Sequence, residues 1–339
     1  MARASVHVPG LRAEAQLIGA RVEIDDCPLA FETTCAAALD ELEWMLRITF
    51  SDAYYRYSVG TLRPDERHPT LRYEDAGAWS ADWKPETATC TFTAPWDGIA
   101  GTTVLAMWLF YLSELERQER GEYLLHASAV ERDGRAIVLF GSSECGKTVT
   151  ALELCREHGF RLFANNRVKV GLRDGVPRLL RGDPVFNLRF SSLHRYSEPL
   201  ARELFDASAE PQTKRRVLPE ALGIDAAEGT PEVAVFVLLG LDEAARTASV
   251  DRMPAAITSP DAFRAVAAVY DEISSRVRGT AFVPIALRPG SARFFVPSLD
   301  RSDLVETRMA FLEALFAASA VLKLRAPLDQ AVSEILARF

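Results

Sequence analysis

Residues 141–148 read "GSSECGKT". They follow the apolar run "AIVLF" (136–140), and their last two residues open a helical pattern, "KTVTALELCREH" (147–158). Gly141, Gly146, Lys147 and Thr148 satisfy the spacing G-x-x-x-x-G-K-[ST]. Each residue type has a physical reason. Glycines let backbone N–H groups converge on an anion that a Cβ would keep away. Lys147 supplies a point charge for β- and γ-phosphates, and the Thr148 hydroxyl suits Mg²⁺. A helix starting here adds the positive end of its dipole. Strand, glycine-rich loop and helix together predict a nucleotide-binding turn, with Ser142 and Ser143 as further loop donors. Glu144 and Cys145 stand where smaller residues are commoner. A carboxylate beside polyphosphate is electrostatically awkward, so Glu144 either points outward or reaches a metal or a substrate hydroxyl. Cys145 at a helix N-terminus could have a lowered thiol pKa, and is read as passive.

Outward from this loop, "LLHASAVERDGRAIVLFG" (124–141) predicts a strand, a turn at 132–134 and a second strand. Gly159 is a natural stop for the helix. "FRLFANN" (160–166) and "RVKVGL" (167–172) predict strands, with a turn at 173–175. Further strands are expected at 233–241 and 320–326, and helices at 260–278, 302–318 and 327–338. Strands interleaved with helices imply an α/β core. In residues 1–118, strand-like runs (15–24, 88–94) accompany an amphipathic stretch (35–48), with 60–88 read as loops and a long helix over 101–119. The expected organisation is a small α+β N-terminal domain (1–118) and a nucleotide-binding domain (119–339).

Composition narrows the partners. The chain has 339 residues, 48% hydrophobic and 25% charged, with a formal net charge of −8. No basic field draws it to nucleic acid or to an anionic membrane. The longest apolar run, "TTVLAMWLFYL" (102–112), is too short to span a bilayer. The N-terminus lacks the apolar core of a signal peptide, so a cytoplasmic location is expected. The five cysteines, Cys27, Cys35, Cys90, Cys145 and Cys155, form no C-x-x-C pair and read as free thiols. Self-association is left open.

The stretch from Tyr123 to Val170 resembles the catalytic domain of the HPr kinase/phosphorylase family and its shorter HPr-kinase-like relatives. The resemblance rests on His126 in the strand before the turn, the loop Gly141–Thr148, "TALEL" (150–154), and Gly159–Leu162. It ends at the residues before "RV", where the family has paired aspartates and this chain has Asn165 and Asn166. A fainter likeness extends to "TKRRVLPEALGI" (213–224) and "AVLKLRAPLDQAVSEIL" (320–336). The resemblance implies a P-loop fold of the phosphoenolpyruvate-carboxykinase type, binding of ATP and Mg²⁺, and phosphorylation of a hydroxyl on a peptide or protein. It also implies that Asn165 and Asn166 lie at the metal and nucleophile, with His126 close by.

An amide cannot take a hydroxyl proton or offer Mg²⁺ a formal charge. Three readings follow. The chain is a kinase whose base has moved to His126, Asp183 or Glu144. Or it is a pseudokinase that binds nucleotide and serves a partner. Or it carries out another nucleotide-dependent reaction. "KRR" (Lys214, Arg215, Arg216) is either a solvated loop or a charge clamp on the triphosphate. "RFSSLHR" (189–195) is a weaker candidate for the same clamp. His7, His68, His158 and His194 have no comparable context.

Overall fold

The run "AIVLF" is apolar at every position, which suits a strand covered on both faces. In the computed structural model it forms the centre of the larger sheet. The structure describes residues 17–24, 26–49, 55–59, 68–206, 208–254, 260–279 and 296–339. The described residues divide into two compact units. The first takes those within Met1–Ser113 and Phe282–Pro297, and the second those within Glu114–Ala281 and Ser298–Phe339.

The first unit contains β1 (Ile18–Ile24), β2 (Cys27–Thr33), α1 (Ala36–Thr49), β3 (Tyr55–Val59), β4 (Thr70–Asp75), β5 (Ser80–Lys84), β6 (Thr89–Ala94) and α2 (Trp96–Ile99). Helix α3 (Val104–Glu119) leads out of it. Its six strands are ordered β3-β1-β2-β4-β6-β5. β4 and β5 correct the expectation of loops over 60–88. β4 is parallel to both β2 and β6, whereas β5 is a polar edge strand with no fully buried residue. α1 buries Ala38, Leu42, Met45 and Leu46, a stripe at helical spacing.

The second unit continues with β7 (Glu122–Leu125), β8 (Ala127–Arg132), β9 (Arg135–Phe140), α4 (Lys147–His158), β10 (Arg161–Asn165), β11 (Val168–Arg173), β12 (Val176–Gly182) and β13 (Phe186–Arg189). Then come α5 (Phe190–Tyr196), α6 (Glu198–Leu204), β14 (Lys214–Val217), β15 (Glu232–Leu241), β16 (Ser249–Arg252) and α7 (Pro260–Ser275). Finally come α8 (Ser302–Ala318), β17 (Ala320–Ala326) and α9 (Leu328–Leu336). A nine-stranded sheet runs β10-β8-β9-β15-β12-β11-β7, with β17 joining β15 and β16 joining β17. β15 is parallel to both β9 and β17. Ile137 and Leu139 of β9 face a core shared with α4 and α9, while Val138 and Phe140 face one shared with α7 and α8. The fold is therefore mixed α/β. Among the described residues no helix is long and apolar enough to cross a membrane.

Two local features set up the site. β10 pairs with β8 through a bulge: Leu162 faces Val130, Ala164 faces Ala129, and Phe163 is the extra residue. Asn165 consequently sits opposite Ser128. Next, Asn166 adopts a positive φ of 115° and bonds its N–H to the Ala127 carbonyl, 2.9 Å away, turning the chain into β11.

Candidate functional site

The segment 141–146 joins β9 to α4, so the backbone runs from the end of a parallel strand into a helix N-terminus. Gly146 precedes the helix with φ 98°, and a Cβ there would lie 2.3 Å from Leu241 Cδ1. A Cβ on Gly141 would lie 2.7 Å from the Leu239 carbonyl oxygen. Only glycine fits at either place. Leu241 N–H donates to the Cys145 carbonyl at 2.9 Å, which ties the loop to the end of β15.

Lys147 is 7% exposed, and its Nζ donates to the carbonyls of Gly141 and Ser142, both at 2.8 Å. Burial pulls the ammonium below the ordinary lysine value, with Cys145 and Glu272 acting in the other direction. Burial likewise pushes the Cys145 thiol up, against Lys147, so the lowered thiol pKa weighed for a helix N-terminus does not occur.

A cavity of about 270 Å³ opens beside this loop. Its walls bring together Ser143, Glu144, Gly146, Lys147, Thr148, His126, Asn165, Asn166 and Lys214. Arg189 and Arg195, from the segment rated the weaker clamp, line it as well. Four cations (Lys147, Arg189, Arg195, Lys214) thus face one carboxylate, Glu144. That carboxylate points outward, as one of the two expectations had it: its side chain is largely exposed and ion-paired with Arg189.

Asn165 is 2% exposed, and its Oδ1 accepts from Thr148 Oγ1 at 2.9 Å and from Ser128 Oγ at 2.8 Å. The carbonyl of Asn166 lies 3.1 Å from His126 Nδ1. A carbonyl oxygen only accepts, so Nδ1 carries the proton and Nε2 of the neutral ring has a free lone pair. Burial, followed by the Lys147 charge, holds the His126 pKa below the ordinary histidine value. Glu272 opposes this, and its carboxylate also accepts from the backbone N–H of His126 at 3.4 Å.

Six predicted residues do not line this cavity: Asp183, Arg215, Arg216, Cys145, and Gly141 and Ser142, whose carbonyls hold Lys147 instead. Asp183 is in neither cavity wall; its Oδ2 lies 3.8 Å from Arg216, and burial raises its pKa against the nearby Arg216 and Arg167. Arg215 donates to the Leu204 carbonyl. "KRR" is a strand rather than a loop, and Lys214 is its one residue in the cavity wall.

A second cavity, of about 1100 Å³, shares His126 and Ser143 with the first. Gly141 and Ser142 border it, with the ends of β15 and β17, β16 and α7. Its walls carry the carboxylates of Asp242, Asp251, Asp261, Asp271 and Glu272 against Arg264, Lys323 and Arg325. Ser128 and Glu272 were not singled out in the sequence. Ser128 has a local cue, lying two positions from His126 on one face of the chain, but Glu272 is a distant helix residue with none.

No family model matches the chain, and no curated protein matches its sequence. Among solved structures, the HPr(Ser) kinase/phosphatase from Coxiella burnetii is similar over 38% of this chain and 76% of that one. The identity is 13% and the TM-score 0.26.

Proposed function

We propose that this chain is an ATP-dependent phosphotransferase of HPr-kinase-like type, acting on a hydroxyl of a peptide or protein. One observation carries the reading: a single cationic cavity gathers the start of α4, Lys147, the Thr148 hydroxyl and a neutral His126 with Nε2 free. Main-chain N–H groups and Lys147 take the β- and γ-phosphates, and Arg189 and Arg195 add forked donors along the chain of phosphates. Lys147 must exchange its two carbonyl partners for phosphate oxygens.

Thr148 Oγ1 and Asn165 Oδ1 fit Mg²⁺ that enters with the nucleotide. They are neutral oxygens, and no group of three or more His, Cys, Asp or Glu among the described residues could hold a metal ion. Phosphate oxygens therefore supply the negative charge around the ion. Bound there, it would neutralise charge building on the transferring phosphoryl group.

His126 Nε2 takes the acceptor hydroxyl's proton. The hydroxyl oxygen forms its bond to the γ-phosphorus, and the bond from that phosphorus to the bridging oxygen breaks. Its electron pair leaves with ADP. The role that a carboxylate would fill passes to the imidazole, while Asn165 holds Thr148 in place. Asn165 and Asn166 also favour a second reading, a nucleotide-binding module without transfer. Labelled ATP, Mg²⁺ and serine or threonine peptides separate the two. Label in the peptide is the expected result, and ATP binding without transfer would select the module.

A further inference from the structure

We infer that Asn165 reads the terminal phosphate of the nucleoside triphosphate directly, its Nδ2 donating to a γ-phosphate oxygen, so that the site tells ATP from ADP without a metal ion. This deepens the proposed function and rests on the first cavity being the triphosphate site.

Three observations support it. The first is which end of the amide is already engaged. Asn165 Oδ1 accepts from Thr148 Oγ1 at 2.9 Å and from Ser128 Oγ at 2.8 Å, so both of its lone pairs are occupied. Nδ2 carries two N–H groups and has no hydrogen-bond partner among the described residues. The residue is only 2% exposed and lies in the cavity wall. An unmet donor in such a place is unfavourable, and an anionic oxygen is the strongest partner for it.

The second observation is position. The side chain of Asn165 is tied to Thr148, next to Lys147 at the start of α4. The following residue, Asn166, holds His126 Nδ1 with its carbonyl. Asn165 thus stands between the residues assigned to the phosphates and the base assigned to the acceptor. The group that passes between those two is the γ-phosphoryl.

The third is charge. A carboxylate here would repel a phosphate oxygen unless a cation came between them, and Lys147 Nζ is bonded to the Gly141 and Ser142 carbonyls. The amide has no charge to repel and offers donors instead. Mg²⁺ accompanying the nucleotide would engage the oxygens of Thr148 and Asn165 and leave Nδ2 to the phosphate. An amide in place of an acid therefore changes what this position recognises from a cation to an anion.

The test is calorimetry on the full chain with ATP and with ADP, each in EDTA and then in Mg²⁺. In EDTA the unmodified chain should bind ATP about tenfold or more tighter than ADP, the scale of a hydrogen bond to a charged oxygen. Asn165→Asp should weaken ATP binding in EDTA by about tenfold or more and recover it in Mg²⁺, where an ion can bridge carboxylate and phosphate. Asn165→Leu should lose the preference for ATP in both conditions, with ADP affinity much less affected. Weakening of ATP and ADP alike in both variants would mean that Asn165 only holds Thr148, and would overturn the inference. Equal affinity of the unmodified chain for the two nucleotides in EDTA would overturn it too, as would Asn165→Asp binding ATP there as tightly as the parent. ADP binding reports that each variant is folded, and the comparison on the unmodified chain needs no variant. Binding of neither nucleotide in either condition is a separate result, and it would overturn the nucleotide reading itself.

Discussion

Glu144 of the glycine loop is ion-paired with Arg189 of β13, so a carboxylate of the protein holds a guanidinium on the wall of the first cavity. Glu144 pays for this place with a positive φ of 67°, a region most side chains avoid. A phosphate bound here competes with Glu144 for Arg189. Glu144→Gln should therefore raise ATP affinity roughly two- to fivefold, the range of a partly exposed ion pair. Arg189→Ala should lower it about tenfold or more. Calorimetry reads both, and weaker binding by the glutamine variant would show that Glu144 aids the nucleotide instead.

Lys147→Ala removes the ammonium that lies between the loop carbonyls and the cavity. ATP affinity should fall roughly a hundredfold, the scale of a lost charge-assisted contact in a buried site. Unchanged affinity would remove the basis for placing phosphates at the start of α4.

Gly146→Ala tests the loop's geometry without touching charge. The added methyl meets Leu241 at 2.3 Å with φ held at 98°. A loss of about 3 kcal/mol in urea unfolding is expected from overlap and backbone strain together. A double variant with Leu241→Ala should recover part of it, since the Cδ1 and Cγ contacts go and the strain stays.

His126 sets the pH dependence. Burial and Lys147 lower its pKa, so at pH 7 the ring is neutral and ready to accept a proton. The transfer rate should be flat above the ordinary histidine value of about 6.5 and fall only on the acid side. The unfolded chain binds this proton more readily, so stability also declines as pH drops from that value through the lower folded one. His126→Gln should cut the rate about a hundredfold or more and abolish the acid limb. An unaltered pH–rate profile would place the base elsewhere.

Asn165→Asp puts a carboxylate against Thr148 and Ser128, where Mg²⁺ accompanying the nucleotide can use its charge. The Mg²⁺-dependent transfer rate should rise about tenfold or more. A variant no faster than the parent would mean that the amide costs the reaction nothing.

Much of the second unit could be read from the chain. The helix at 147–158 has those bounds and ends on Gly159 with φ 68°, because periodicity and a glycine stop agree there. β15 announces itself as an apolar run and β17 as an alternation of buried apolar and exposed basic residues. β5 does not, since an exposed edge strand needs no alternation. The site was less legible. Sequence places Asn165 and Asn166 side by side as equivalents, yet one uses its side chain on Thr148 and the other its backbone on His126. That division depends on a bulge and a positive φ, neither of which is encoded by a short pattern. Glu272 reaches His126 through tertiary packing of α7, invisible to any local cue.

The extra residue in β10 has a consequence for how such a corner can change. In an unbroken ladder with β8, Phe163 would face Ala129, Ala164 would face Ser128, and Asn165 would slide to Ala127. The partner offered to Thr148 would then be a methyl group, although no side chain had been exchanged. Chemistry at this corner is governed by an offset of one in the count along a strand. Straightening the bulge would move the corner by one place, whereas removing Phe163 would leave Asn165 opposite Ser128.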